Sequence, residues 1–553
     1  MTPESRIRPG KYLHDLREPV ATRPAATVLL LRDSAAGPEV LMTRRSMSAS
    51  FAPGAFVFPG GVVDPLDASP AARRVSASRP DQSPETLAFV TAAVREAFEE
   101  LGVLLARPAR SGVDPAKVAT TMPRHDDGSF FERVAAAGLT LALDEVHWLS
   151  RWITDRDLPK RFDAHFFVAK MPEGQEPVAD EGEQFEPTWV LPAQALARHD
   201  RGEFDMIFPT IRTLRALTRF EDVAAILRHC EENPGRWFSC PRAGLLRGEV
   251  ARFSEEELPF GELELVSPDG RIVHELDWQH ERAVPLLRHV QRLTAPNPGR
   301  MTGPGTNTYI VGEPGEYLVI DPGPDEPDHI ARIAAIVGDG LKAIVCTHAH
   351  PDHAPGAAPL KALTGAPILG RPTGPDFDPQ WAFVPERTLE DGECLRVGDS
   401  TLRVLHTPGH VSNHVCLLLE EDGLLFSGDH ILNGSTTVIT PPDGDMRDYV
   451  AQLHRLAHEP FDYILPAHGH AIAAGKREVA RLIAHRMARE AKVIDALGTA
   501  GKPATVDELV LTAYDDVDPV IRPVAKRSLT AHLLKLRDDG LATLDGEHWQ
   551  LIG

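Results

Sequence analysis

Basic charge is what this chain is short of: 58 lysines and arginines stand against 80 aspartates and glutamates in 553 residues, a formal net charge of −22. Long-range repulsion at that charge slows the approach of nucleic acid or an anionic membrane, so a general polyanion-binding surface is excluded and any phosphate must be captured locally. Cysteine is scarce as well. Cys230, Cys240, Cys346, Cys394 and Cys416 are scattered with no C-x-x-C pair, which excludes a disulfide framework and fits a reducing, cytoplasmic setting. No apolar run approaches the length that spans a bilayer, and the first residues lack an apolar signal segment, so no membrane partner is expected. What remains is an ordinary globular composition, 42% hydrophobic and 25% charged, in a chain too long for one core.

Patterning along the chain divides it. Two short apolar strands, 27–31 and 40–42, are expected to join through a turn at Gly37-Pro38. Phe56-Val57-Phe58-Pro59-Gly60-Gly61 reads as a strand entering a glycine-rich loop, and 70–84, rich in Ala, Ser, Arg and Pro, as a surface insertion. An amphipathic helix over 84–101 ends at Gly102. Pattern weakens over 219–284, which reads as a connector. From about 285 to 480, short strands at 308–311, 317–320, 344–346, 402–405, 415–419 and 424–426 alternate with turns and helical stretches, an α/β pattern. Helical stretches at 477–497, 506–513 and 521–538 and a hairpin near 541–551 complete a winged-helix-like tail, 481–553.

The chemistry concentrates at Thr347-His348-Ala349-His350-Pro351-Asp352-His353, four potential ligands in six residues just past an apolar run. Imidazoles at i, i+2 and i+5 with a carboxylate at i+4 can point to two sides of one spot, which suits a pair of cations. His410, Asp429 and His468 each follow another expected strand, where rigid ends let loops converge. Five imidazoles and two carboxylates suffice for two zinc-like ions with a position left for water.

These residues resemble the metallo-β-lactamase fold superfamily, whose H-x-H-x-D-H signature is matched by His348, His350, Asp352 and His353. The resemblance implies two Zn2+: one on His348, His350 and His410, the other on Asp352, His353 and His468, with Asp429 bridging, Asp352 catalytic and Asp321 supporting the ligand loop. Asn297-Pro298, Gly305-Thr306-Asn307-Thr308-Tyr309, Thr407-Pro408-Gly409-His410, Ser427-Gly428-Asp429-His430, Thr436-Thr437-Val438 and His485-Arg486 further resemble the β-lactamase-like protein 2 subfamily, from about Arg288 onward. That implies a zinc-dependent hydrolase and, as one substrate, single-stranded RNA. Pro355 and Ala467 depart from the pattern in loops. His414, close after His410, is a candidate for orienting substrate.

A second acidic cluster lies upstream. Arg95-Glu96-Ala97-Phe98-Glu99-Glu100-Leu101-Gly102 sets three carboxylates at i, i+3 and i+4 on one helix face, a repulsion that a divalent cation relieves. Oxygen-only ligands point to Mg2+ or Mn2+, with Arg95 anchoring the cluster by an ion pair. The stretch resembles the Nudix box, with Gly60-Gly61 as its loop and Arg44-Arg45 upstream, though about twenty extra residues intervene and Asp67 stands where the box has Glu. A similarly stretched box occurs in Nudix relatives that hydrolyse coenzyme A-like diphosphates. The resemblance implies metal binding by Glu96, Glu99 and Glu100 and catalysis by Arg95 and Glu99; a fold that has lost catalysis and senses a nucleotide stays open beside it.

The fold expected is therefore multidomain α/β: a Nudix-like α/β/α sandwich (20–218), the connector, a metallo-β-lactamase αββα sandwich (285–480) and a small winged helix. The last helix carries Lys526, Arg527, Lys535 and Arg537, which suit RNA phosphates, beside Val524, Leu529, Leu533 and Leu536, which any packed helix needs. Metal-dependent hydrolysis of a phosphate-bearing or ester molecule is the expected activity, with thioesterase or glyoxalase-type chemistry as the rival. A homodimer is open.

Overall fold

The computed structural model describes residues 6–49, 51–124, 128–180, 184–235 and 237–552. They form two units: residues 18–243 make one, and Arg17 with the described residues before it joins those from Gly244 onward in the other.

The first unit is built on an eight-stranded sheet whose main path runs Gln184–Val190, Gly37–Arg45, Thr22–Ser34, Arg161–Lys170, His147–Ile153, Trp237–Ser239. Along Thr22–Ser34, Ala26, Val28 and Leu30 enter one apolar cluster while Leu29 and Leu31 enter another, so the strand is buried on both faces. Helix Pro84–Leu101 covers the first face through Phe89, Val90, Ala93, Val94, Ala97, Phe98 and Leu101. Its start is fixed by Ser83, which accepts the Thr86 amide, and its end by Gly102 at φ +67°. Helices Pro192–Asp200, Phe208–Leu217 and Val223–Glu232 cover the other face, giving three layers.

Three local expectations need correction. The first hairpin turns at Ala35-Ala36, because Gly37 and Pro38 pair with Ser34 and Asp33 and extend the strand. The 70–84 stretch holds helix Pro70–Arg74 and strand Ser76–Ala77, with Ala72 and Val75 buried. The described residues of the 219–284 connector are divided between the units and contain helices Val223–Glu232 and Phe260–Val266 and three short strands. Each element there is too short for a clear period and is stabilised by long-range burial.

The second unit packs two sheets face to face. One runs Val284–Leu287, Val290–Thr294, Asn307–Glu313, Glu316–Ile320, Leu341–Val345, Ile368–Gly370, Arg387–Thr388; the other Cys394–Val397, Ser400–His406, Val415–Leu419, Leu424–Gly428, Tyr463–Pro466. Period-two alternation makes the layers. Leu318, Ile320, Val404, Leu417, Leu419 and Phe426 fill the space between the sheets. Tyr317 and Val319 face helices Pro327–Val337 and Ala357–Thr364 outside one sheet, while Leu405, Cys416, Leu418 and Leu425 face helices Met446–His458 and Gly475–Ala500 outside the other. The result is an αββα sandwich.

Ile7 and Tyr12 also lie in the inter-sheet core, and Arg8 grips buried Asp422 with Nη2 at 2.6 Å, so this unit is assembled from both sides of the intervening sequence. Its tail packs Val493, Leu497, Leu509, Val510, Leu529, Leu533, Leu536 and Trp549 among helices Gly475–Ala500, Val506–Ala513, Arg522–Asp538 and the hairpin Ala542–Asp545, His548–Leu551, which is the winged helix.

Candidate metal centre

The four ligand-bearing loops all leave the carboxyl ends of strands in the two sheets, and the amide of Val415 donates to Thr347 O at 2.8 Å, stitching the sheets together at that edge. Their side chains converge. Ligand atoms of His348, His350, His410 and Asp429 form one group and those of Asp352, His353 and His468 another, each within 4.8 Å. His350 Nδ1 lies 2.9 Å from His348 Nε2 and 3.0 Å from His410 Nε2. Asp429 stands between the groups: Oδ2 is 3.6 Å from His410 Nε2 and 4.0 Å from His348 Nε2, while Oδ1 is 3.3 Å from His468 Nε2 and 3.5 Å from His353 Nε2. Asp352 Oδ2 is 3.3 Å from both His353 Nε2 and His468 Nε2.

The residues around these side chains fix their other ends. Asp321, in the strained left-handed region at φ +50°, accepts the Thr347 amide at 2.7 Å and the Thr347 hydroxyl at 2.8 Å, and its Oδ2 lies 2.9 Å from His353 Nδ1. His410 Nδ1 donates to Val438 O at 2.8 Å and His468 Nδ1 to Gly305 O at 3.1 Å, which leaves both Nε2 atoms directed at the centre. Asn307 donates to Pro466 O at 3.0 Å and Gly469 O at 2.9 Å, bracing the His468 loop, and Thr306 donates to Asp352 at 3.3 Å.

The donor set fits cations. His353 Nε2 and Asp429 Oδ1 are buried with no hydrogen-bond partner, the condition of atoms placed for a metal. Burial and neighbouring imidazoles hold His348 well below its ordinary pKa and bring His350 to about 3, so both are neutral donors. On the other side burial opposes the charge of His353 and His468, but Asp352 and Asp429 outweigh it and push both imidazoles up. The carboxylates thus draw positive charge into the centre.

His414 is a correction. It is fully buried, with Nε2 accepting the Asp429 amide at 3.1 Å and Nδ1 2.8 Å from the Thr407 hydroxyl, so it supports the Asp429 loop from within and is closed off from solvent. The sequence reading also passed over Phe377, whose ring centroid lies 5.8 Å from that of His350 and which packs with Ala349 and Val411. Its loop has no local motif; only the fold carries it there.

In the first unit Arg95 does anchor the acidic face. Its Nε and Nη2 donate to Asp67 at 2.9 and 3.1 Å, and Nη1 lies 2.6 Å from Glu99 and 3.0 Å from Glu96. Asp67 therefore tethers the arginine. Glu100 accepts the Gly60 amide at 3.0 Å. Burial, reinforced by Glu99, raises the Glu96 carboxyl to about 7 despite Arg95. Gly61 packs so tightly that a Cβ there would collide with the Glu96 carboxylate. Among the described residues, three or more ligand atoms converge only in the two groups of the second unit, so Glu96, Glu99 and Glu100 do not form such a group in this arrangement.

Imidazoles and carboxylates gathered at the strand ends of a four-layer sandwich define a metal-dependent hydrolase. Residues 301–468 match the model of the metallo-beta-lactamase superfamily, 505–549 that of the beta-lactamase associated winged helix domain, and 74–217 that of the NUDT19 Nudix domain. An atrochrysone carboxyl ACP thioesterase, dmxR1, of Cryptosporiopsis sp. (strain 8999) is 33% identical over 271 residues, 45% of this chain and 80% of that protein. Another from Aspergillus chevalieri is 32% identical over 295 residues, 49% and 91% of the two chains. The crystal structure of a NUDIX hydrolase from Alicyclobacillus acidocaldarius is 30% identical, covering 38% of this chain and 96% of that one at a TM-score of 0.33. The chain belongs to the metallo-β-lactamase superfamily and carries a Nudix domain ahead of the hydrolase and a winged helix after it.

Proposed function

We propose that residues 285–480 form a binuclear hydrolase of acyl thioesters, followed by a winged helix over 481–553 and preceded by a Nudix domain over 20–218 that acts on, or senses, a nucleoside diphosphate derivative. The observation that carries the binuclear reading is Asp429, whose two oxygens face opposite ligand groups. His348, His350 and His410 would hold one cation and Asp352, His353 and His468 the other. Two Zn2+ bound there supply a nucleophilic water at neutral pH and polarise the carbonyl oxygen.

The chain's own part is positioning and proton handling. Asp352, held by Thr306, faces His353 and His468 and is placed to orient the attacking water and take its proton. Attack forms a C–O bond, the C–S bond breaks, and the proton passes to the leaving thiolate. Ala349, Phe377 and Val411 form a buried apolar cluster behind His350, an apolar backing on that side of the centre. The thioesterase relatives, about a third identical over most of their length, support this class over RNA.

For the Nudix domain, Arg95 Nη1 sits against both Glu96 and Glu99, so a Mg2+ or Mn2+ ion on those carboxylates has to compete with it; that favours the sensor reading unless substrate phosphate draws the arginine away.

The test is thiol release from acyl-coenzyme A and acyl carrier thioesters by the zinc-loaded full chain. The expected result is turnover that disappears in His348→Ala and Asp429→Ala while the fold persists. No thiol release by wild type, with cutting of single-stranded RNA instead, would replace this reading with the endoribonuclease one. Glu99→Ala should abolish any diphosphate hydrolysis without touching thiol release.

A further inference from the structure

Helix Phe260–Val266 lies outside all three family-matched ranges, yet it drives a carboxylate into the interior of the second unit. Glu262 is fully buried. Its oxygens take both Nη atoms of Arg292, Nη2 at 3.1 Å, and His274 Nε2 lies 2.8 Å away. The same carboxylate accepts the Ala471 amide at 3.2 Å and sits 3.2 Å from His470 Nδ1. Trp278 stacks on His470 at 4.4 Å, and the Arg292 guanidinium lies 4.7 Å over the Trp278 ring, closing the cluster.

A buried carboxylate is costly unless its lone pairs are filled, and here the surrounding groups come from three chain segments, at His274, Arg292 and His470-Ala471. Two of those partners, His470 and Ala471, belong to the loop that presents His468. That loop is closed at its base by reciprocal bonds between Ile464 and Ile472, 2.8 and 3.0 Å. Asn307 spans the turn, donating to Pro466 O and Gly469 O on either side of His468; Glu262 holds the limb that follows, at His470 and Ala471. The contact is backbone-close: a Cβ on Gly261 would collide with Ala471 O and Ala473 N, so the helix can reach the loop only with glycine at that position.

We infer that Glu262 is a positioning residue for the metal centre, fixing the limb that follows His468 and thereby setting the affinity of the Asp352–His353–His468 site. This rests on the binuclear reading above. Asp429 and the His348–His350–His410 group hang from other strands, so that first site serves as an internal control. Residues that orient a ligand from behind typically change metal affinity by about 10–100-fold when altered.

The experiment titrates metal-free full chain with Zn2+ against a chromophoric chelator. Glu262→Gln alone leaves Arg292 buried without its charge partner, so Glu262→Gln is combined with Arg292→Gln; Gly261→Ala, which alters no charge, is the second perturbation. The expected result in the folded variants is a first Zn2+ bound as in wild type and a second weakened by about tenfold or more. Two wild-type affinities in either folded variant overturn the assignment. Wild-type protein that takes up no second Zn2+ would instead overturn the binuclear reading, so the two failures are distinguishable.

Discussion

Removing the contact of the first segment with the inter-sheet core should destabilise the metal-binding unit although more than two hundred residues separate them in sequence. Ile7 is 3% exposed and sits between the sheets, so Ile7→Ala deletes buried carbons from a packed site and should cost about 3 kcal/mol, within the usual range for such truncations. Arg8→Ala strips Asp422, whose side chain is 0% exposed, of its guanidinium while leaving His289 Nε2 at 2.8 Å. With His289 and the residue 8 backbone amide (2.9 Å) both retained, the cost falls short of that for a fully orphaned buried charge, about 2 kcal/mol. The two neighbours should not add fully. Urea unfolding read by hydrogen exchange in strand Val415–Leu419 reports this unit alone. With a urea m value of about 3 kcal/mol/M, Ile7→Ala should lower the midpoint by about 1 M. A shift under about 0.3 M in that strand would refute the claim that the segment completes the core.

Further outcomes follow from the same geometry. Burial pushes the Asp422 carboxyl up, but hydrogen bonds from His289 and Arg8 outweigh it and hold the group well below the ordinary carboxylate value. Its stabilisation is therefore full above about pH 4 and is lost as pH falls toward the folded value; Asp422→Asn should flatten the acid limb of stability, and equal acid slopes would contradict this. Stripping divalent metal should lower the Tm of the second unit. By competition titration, Asp429→Ala should weaken both ions in parallel and His410→Ala mainly one; parallel loss in both variants would argue against a bridge. Gly61→Ala sets a methyl group against the Glu96 carboxylate, the far end of a flexible side chain that can swing aside, so it should cost the first unit under about 1 kcal/mol in chemical denaturation; a loss of about 3 kcal/mol would show the carboxylate locked in place.

What could be read from the sequence was what is local. Helix Pro84–Leu101 carries its own cap, period and terminating glycine, and the converging side chains of His348, His350, Asp352 and His353 sit within one loop after an apolar strand. His410, Asp429 and His468 were legible because each follows a strand with a turn. The placement of Ile7, Tyr12 and Glu262 was not, since no local pattern announces a residue whose partners are tens or hundreds of positions away. His414 was misread for the same reason: nearness to His410 in sequence says nothing of the Asp429 amide it accepts. Asp67 looked like a departure from a motif until the fold set it against Arg95.

The winged helix has a structural use. On the last helix Lys535 is largely buried between Glu490 and Asp539 at 2.8 Å each, Lys526 pairs with Asp507 and Arg537 with Asp538 at 2.7 Å, and Arg527 is exposed. Leu529, Leu533 and Leu536 are spent in the tail's own core. What the tail does reach is the metal centre: Arg486, buried on helix Gly475–Ala500, donates to Thr437 O at 2.5 Å, and the Thr437 hydroxyl donates to Asp429 O at 2.7 Å. The next carbonyl, Val438 O, accepts from His410. Helix Gly475–Ala500 thus ties the tail to the backbone of Asp429 and, one carbonyl further on, to the His410 imidazole, a structural use of the winged helix that requires no polymer.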